Sequence, residues 1–558
     1  MNKFLGIDLG TTYSCVACVD SSGKPVVLKN AEGELTTSSV VFFESDNSIV
    51  VGASAKESSI LYPGEVVSFA KRSIGVPGAG WTIRGEFRSP EEVCSYILKK
   101  LVNDANAILR SENKLGPGEA ITDVVITCPA YFGISEREST RRAGEIAGLN
   151  VLGIINEPTA AAITYGLTDA TEENQVVLVY DLGGGTFDIT MIDIQPDSIR
   201  VICTGGDQYL GGKLWDDRII DFLAAEFIQQ TGSSEDILGD PETLQELTIA
   251  AERGKKMLSA REKAPVAINY KGERARVELT REQFNAFTAD ILERTILLTR
   301  QMLNEAEKKG YKLTDIKEIV MVGGSTRMPQ VQQRVEEAFG IPIKIYDPDE
   351  AVAKGAALYA ARQTFFNRLI ERAALYTGAD EEEVRASFHE GRTSVEQLAQ
   401  QAMMPSADTG VDIINVASRS FGTIAYENKD SVDRKEILYN LILRNTELPV
   451  VEARRFFTVV PNQKMVSIRV LESHSTDRHC PPSEGTVIGE TVLELPEGLP
   501  AGSPLEIQFR LTEAGLLELR AVELKTGGDI VARFETIDAI SPETIQEAKT
   551  RLDRSIIL

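Results

Sequence analysis

The chain has 558 residues, 42% of them apolar, and a formal net charge of −24. That charge repels phosphate-rich partners, so neither nucleic acid nor an anionic membrane surface is expected as a partner. The length exceeds what one core supports and predicts three or four domains.

No apolar run approaches the ~18 residues that a membrane-spanning helix needs. Asp8 interrupts the N-terminal stretch that a signal peptide would keep apolar, so export is not expected. Six cysteines are too sparse for a disulfide framework, and a reducing, cytoplasmic location fits better.

Residues 1–363 alternate short β-branched runs with helical stretches, the pattern of layered α/β domains. The runs FLGID and SCVACVD predict two strands joined at LGTT. Cys15 and Cys18 in the second run read C-x-x-C, but strand alternation sends them to opposite faces, and no second pair completes a zinc site. Further strands are predicted over 123–129, 176–182 and 318–324. Ser135 and Glu138 have capping-box spacing, and Pro158 suits the first position of a helix.

Residues 364–407 predict two or three helices, with Gly378 as a C-cap and Thr393 with Glu396 as a second capping box. Residues 405–410 (PSADTG) read as a flexible join. From 411 to 540 the pattern is all-β, with alternation in MVSIRVLES and PLEIQFRLT. The stretch SHSTDRHCPP holds His474, His479 and Cys480 and reads as a polar loop. Residues 541–558 predict a helix capped by Ser541, with Ile545, Ala548, Leu552 and Ile556 on one face.

One phrase occurs twice: GIDLGTTYS at 6–14 and YDLGGGTFD at 180–188. Each places an Asp before glycine and threonine, between two apolar runs. Glycine lets the backbone approach a ligand closely, and amides in such a turn grip an anion. Asp8 and Asp181 stand where a strand ends and suit a hard cation, held directly or through water. Two such hairpins would clamp a triphosphate from both sides, without the helix N-terminus of a P-loop. A third glycine-rich turn, VMVGGSTRMP, follows the strand at 318–324. Taken alone, it reads as a tight turn.

These residues, with ITCPAYF, IINEPTAAAITYGL, AAERGKKMLS and DPDEAVAKGAA, resemble the DnaK-type heat-shock chaperone family across nearly all of 1–363. The resemblance implies a two-lobed, actin-like ATPase built from duplicated ribonuclease H-like lobes. It implies ATP or ADP with Mg2+, and K+ as a further candidate ion. Gly10, Thr11, Thr12 and Tyr13 match the first phosphate loop, and Gly183, Gly184, Gly185 and Thr186 the second. Asp8, Asp181 and Asp188 match the Mg2+ site, and Glu157 a residue near its shell. Glu252, Lys255, Lys256 and Ser259 match one wall of an adenosine pocket, and Gly324, Arg327 and Asp349 the other. Lys71 matches a catalytic lysine, although by spacing alone it reads as a solvated surface residue. Asp181 or Thr186 is a candidate to position the attacking water. Pro129 matches a switch proline.

The β segment resembles the family's peptide-binding sandwich less closely. Tyr426, Phe456, Val459, Gln463 and Val466 match its groove for extended apolar peptide, and an ordinary sandwich core is the competing reading for Phe456 and Val466. Four departures stand out. Residues 541–558 supply one helix where the family has a long lid, which implies fast peptide release. The linker VDIINV places Asp412 inside the apolar run and Asn415 at the family's Asp. Gly153 replaces an arginine that engages the linker and a J-domain co-chaperone. Residues 364–407 are an insertion. Weakened coupling, or coupling through the insertion, is the expectation. Expected partners are unfolded apolar peptides, with a J-domain protein and a nucleotide exchange factor in doubt. The alternative is a nucleotide-gated scaffold with one dedicated partner. A sugar or metabolite kinase is weaker, since nothing suggests a phosphoacceptor pocket.

Overall fold

The computed structural model describes residues 3–168, 174–196, 198–389, 393, 395–402, 412–427, 435–512, 515–534 and 541–558. The predicted join at 405–410 lies outside them, as do parts of the Thr393–Glu396 capping box.

One sheet plan occurs twice. In the first half, Leu5–Asp8, Tyr13–Val19 and Pro25–Leu28 form an antiparallel meander, and Asp123–Cys128 and Asn150–Asn156 add in parallel beside the first strand. In the second half, Gln175–Leu182, Phe187–Ile194 and Ser198–Asp207 form the meander, and Ile316–Val322 and Ile343–Ile345 add in parallel. The doubled phrase is therefore the first hairpin of each sheet.

Each sheet has its own core of buried apolar side chains. A third core lies between the sheets, where Glu157–Thr168 and Ala351–Thr377 pack alanines such as Ala160, Ala161, Ala356 and Ala357 against both. Cys15 faces this shared core and Cys18 faces the first-half core, as strand alternation requires. All six cysteines are free and buried.

Several local expectations change. The helix Ile134–Ile146 has Gly133, not Ser135, at its N-cap. Ser135 Oγ instead donates to Gly75 O at 3.0 Å, and Glu138 pairs with Arg141 and Arg142. Tertiary partners outbid the local box. The boundary at 363 falls inside one continuous 27-residue helix, Ala351–Thr377, which ends at Gly378 in the left-handed conformation. With Glu381–His389 and Val395–Gln401 it forms a small separate core around Phe366, Leu369, Ile370 and Leu398. His479–Cys480 is a short strand against Glu436–Ile442 rather than loop.

The β segment is two facing sheets, one of five strands and one of four. Ile134 of the first half packs into their common core. Contacts to the second half are polar: Thr204 N–H donates to Asn445 Oδ1 at 3.0 Å, and Arg444 Nη2 donates to Thr204 O at 2.7 Å. The linker strand Asp412–Ile414 adds in parallel to the edge strand Ser198–Asp207. Ile413 is buried there, whereas Asp412 points outward and meets Arg362 Nη2 at 2.8 Å. Asn415 Oδ1 accepts from Thr159 Oγ1 at 3.4 Å.

The C-terminal helix Pro542–Arg554, capped by Ser541, does not lie over the sandwich as a truncated lid would. It packs on the helices Pro90–Ser111 and Ile134–Ile146 of the first half. Ala548 and Leu552 are part of that half's core. Arg551 donates two hydrogen bonds, of 2.9 and 2.6 Å, to Glu92, a fully buried carboxylate that also takes 2.7 Å from Arg88. The helix stops at Arg554, so Ile556 does not continue its apolar face. Ile556–Ile557 instead pairs in parallel with Ser48–Val51. Truncating Leu552 to Ala should cost about 2–4 kcal/mol of local stability, as buried leucines do. Faster amide hydrogen exchange over 47–51 is the expected result, and unchanged exchange there would mean that the segment is not held by this core.

Candidate nucleotide cleft

The two doubled hairpins face each other across a cleft of about 470 Å³. Contact between them is close enough to require glycine. A Cβ on Gly184 would lie 2.2 Å from Thr12 Oγ1, and one on Gly185 would lie 2.4 Å from Thr11 Cγ2. Gly10, Thr11, Thr12, Gly183, Gly184 and Thr186 line the cleft, while Gly185 sits behind the turn against Thr11. Each turn is braced from outside. Ser39 Oγ donates to Gly10 O at 2.8 Å, and Ser325 Oγ donates to Gly183 O at 2.8 Å.

The strand register sets the acids. Asp181 stands directly opposite Asp188 in its hairpin, and Asp8 opposite Cys15 in the other. Lys71 is carried in by a 3-10 turn, Ala70–Ser73, entered through Phe69 at φ 60. A non-glycine residue in that conformation costs about 1–3 kcal/mol and marks a position held by its surroundings. Lys71 is buried and paired with Glu157, so it is not the solvated surface lysine its spacing suggested.

One lysine therefore faces four carboxyls: Asp8, Glu157, Asp181 and Asp188. Burial, then the charge of Glu157, pushes Asp8 up to about 7. The same two causes raise Asp181 and Asp188 well above the usual carboxylate range. Burial pulls Lys71 down, but Glu157 and Asp8 outweigh it and leave its ammonium raised. Asp188 Oδ1 accepts the Ala130 N–H at 2.8 Å, while its Oδ2 is buried with no partner. Hard oxygen donors with excess negative charge fit a hard divalent cation. Among the described residues no three acidic, His or Cys side chains are grouped closely enough to hold an ion directly.

A second cluster closes the cleft's rim. Asp240 caps the helix Pro241–Ala260, accepting the Thr243 N–H at 2.9 Å. Glu252, Lys255, Lys256 and Ser259 recur at helical spacing and all face the cleft. Tyr13 OH donates to Glu252 Oε1 at 2.8 Å and accepts from Lys56 and Lys256, bridging the two halves. Burial favours the neutral acid, but Lys56 and Lys256 outweigh it and hold Glu252 down at about 2. Lys255 meets the buried Asp216 at 2.8 Å. Across the cleft, Gly324 lies in the turn Gly324–Arg327, and Arg327 Nη2 meets Asp349 Oδ2 at 2.6 Å.

Sequence reasoning missed Lys56, Asp216 and Ser325. No local pattern marks Lys56 or Asp216, Ser325 lies in the third glycine-rich turn without a role assigned to it, and each is tied to the cleft by a partner more than 35 positions away. The groove candidates lie apart from the cleft, in the sandwich. Phe456 and Val466 pack against its core, and Phe456 meets Tyr439 edge-on. Gln463 ties off its own loop, accepting the Val459 N–H at 2.9 Å and donating to Met465 O at 3.0 Å. Tyr426 is half-exposed at a strand end beside Glu436, and 428–434 lie outside the described residues. Gly153 packs beside Tyr359.

Because Asp8 holds its proton up to about pH 7, cation binding should compete with protons there. Mg2+ affinity in the presence of nucleotide is expected to fall as pH drops below 7, by up to about tenfold per unit. Calorimetric titration from pH 5.5 to 8 checks this. A flat profile would exclude Asp8 from the cation site.

Residues 4–77 and 77–364 match the family model described as Hsp70 protein. The chain is also 33% identical to a chaperone protein DnaK from Stenotrophomonas maltophilia (strain R551-3), over 98% of this chain and 80% of that relative. No helix among the described residues is long and apolar enough to cross a membrane. Two facing Gly-Thr hairpins, a family match over most of the first 364 residues and a likeness extending through the sandwich agree: the chain belongs to the Hsp70 family of ATP-binding heat-shock chaperones.

Proposed function

We propose that the protein is an ATP-hydrolysing chaperone whose sandwich binds exposed apolar peptide segments. Residues 1–363 act as the nucleotide-binding domain, and the two sheet-based halves are the lobes of an actin-like ATPase. Residues 364–410 are insertion and linker, 411–540 the peptide-binding domain, and 541–558 a tail. The observation that carries this reading is the cleft: two anion-gripping turns aimed at each other over a buried lysine ringed by carboxyls.

Phosphoryl transfer to water needs positioning and charge neutralisation more than covalent chemistry. Lys71, pinned by Glu157, presents a fixed cation to the terminal phosphate. Thr11, Thr12 and the amides of 183–185 hold the phosphates from both sides. Bound Mg2+ would neutralise phosphate charge, held by Asp8, Asp181 and Asp188 through its waters. Asp181 or Thr186 orients the attacking water. Glu252, Lys256, Ser259, Arg327 and Asp349 flank the base and ribose.

The outward Asp412 does not obstruct the linker, since Ile413 supplies the buried contact. The Pro542–Arg554 helix is committed to the first half and does not cover the sandwich, so it does not slow peptide release. J-domain and exchange-factor partners follow from the family, with Gly153 and Asn415 altering one contact surface. A dedicated-partner reading draws support from the insertion, where Leu375 and Tyr376 stand exposed on the long helix. A peptide array separates the two: many apolar heptamers bound supports a general chaperone, and none supports the dedicated partner.

Lys71→Ala should leave ADP affinity within about threefold while single-turnover hydrolysis falls on the order of 100-fold, as removal of one preorganised charge does. Unchanged turnover would remove Lys71 from the mechanism. For the linker, Ile413→Asp should detach the strand and shift basal hydrolysis. Arg362→Ala should change it less than about fivefold, because an ion pair whose acid, Asp412, stands in solvent contributes ~1 kcal/mol or less. Equal effects of the two substitutions, measured side by side, would refute Ile413 as the anchor.

A further inference from the structure

The helix Ile134–Ile146 starts at a residue with no side chain to satisfy its first amides. The first of them, Ile134 N–H, donates to Glu472 Oε2 at 3.4 Å. Glu472 lies on the sandwich strand Met465–Ser473, so one domain caps a helix of another. The meeting is tight. A Cβ on Gly133 would lie 2.6 Å from Glu472 Oε2 and 3.0 Å from Glu136 Oε2, which places two carboxyls at one helix end. Glu472 is 9% exposed, and Glu136 Oε2 is buried without a hydrogen-bond partner. The nearby cation, Arg419, does not neutralise both. Its Nη2 stands 3.9 Å from Glu136 Oε1, and its Nη1 is engaged with His474 Nδ1. A buried Glu472 carboxylate beside a second carboxyl is costly to ionise, whereas a proton on Glu472 relieves the repulsion.

The same turn reaches the cleft. Ala130 N–H holds Asp188, and Lys71 Nζ lies 5.8 Å above the Phe132 ring. Phe132 O accepts from Arg137 Nε at 3.1 Å and from Ser418 Oγ of the sandwich at 2.9 Å.

We propose that Glu472 is a positioning residue for the ATPase cleft, acting as a proton-gated latch with Glu136. With one proton between them, the pair caps the helix and holds the sandwich against residues 129–137. With both ionised, the sandwich lets go and the turn that holds Asp188 through Ala130 N–H loosens. The positioning role rests on the ATPase reading; the latch itself does not.

Burial, then the charge of Glu136, pushes Glu472 up from 4.5 to about 7. The docked form thus binds the proton more tightly. Docking is favoured in acid and weakens as pH rises from about 4.5 through 7, by up to about tenfold per unit. His474 runs the other way. Burial, then Arg419 and Arg444, holds it down at about 4, with Asp207 opposing. Comparing variants that share His474 cancels its contribution.

Glu472→Gln keeps an acceptor for Ile134 N–H, offers a donor to Glu136 and cannot ionise. Docking is read by hydrogen exchange over 130–137 and by energy transfer between labels on the first half and the sandwich, from pH 5.5 to 7.5. Single-turnover hydrolysis is measured alongside. Over that range the docked fraction of the wild type should fall relative to Glu472→Gln on the order of tenfold, with hydrolysis following it. Identical pH profiles for the two proteins would overturn the latch. Gly133→Ala, which crowds both carboxyls, should undock the sandwich at every pH, and intact docking would overturn the geometry. Docking that changes without hydrolysis would overturn the positioning role. Absence of hydrolysis in the wild type at all pH values would instead sink the ATPase reading, and the docking measurement would still decide the latch.

Discussion

Everything else in the molecule is arranged around a buried charge imbalance: one lysine, Lys71, among Asp8, Glu157, Asp181 and Asp188. Burying charge without compensation is costly, and this cluster is overcompensated by acid. Such a site is at ease only when a cation and a polyanion enter together. The fold holds the acids in place regardless. Antiparallel register fixes Asp181 opposite Asp188, and Glu157 starts a helix anchored in the core between the sheets.

The rest of the chain grips the halves that carry this cluster. The linker strand extends the second sheet through three residue pairs, with Ile413 buried and Asp412 turned to solvent. The C-terminal segment extends a small sheet of the first half, and its Arg551 shares buried Glu92 with Arg88. The sandwich sits between, touching the first half at Phe132 and Ile134 and the second at Thr204. Both contacts fall at one end of the sandwich, where Asn445 N–H donates to Ala417 O and Phe421 pairs with Glu472, so a shift of either half acts on that end.

Much of the cleft was legible in the sequence because its parts are local. A Gly-Thr turn between two apolar runs is a hairpin, and each hairpin brings its Asp with it. Glu252, Lys255, Lys256 and Ser259 line the cleft from one helix face at i, i+3, i+4 and i+7, a spacing that sequence displays directly. Legibility failed where a side chain's role depends on a distant partner. Ser135 reads as a cap but bonds Gly75, and Gly133 takes its cap from Glu472 across 338 positions. Ile556 continues a helical pattern, yet backbone pairing with Ser48 wins it for a strand.

The sequence by itself determined the duplicated hairpins, the acids at strand ends, the β character of the described sandwich strands and the kinship to Hsp70 proteins. These are properties of short segments and of their order. Only the tertiary structure decided that Lys71 is buried rather than solvated, that Asp412 escapes desolvation, and that the last helix belongs to the first half and not to the sandwich. The physical reason is common to all three. Burial and charge pairing are properties of what a residue meets, and what it meets is set by packing between segments from 50 to 459 positions apart.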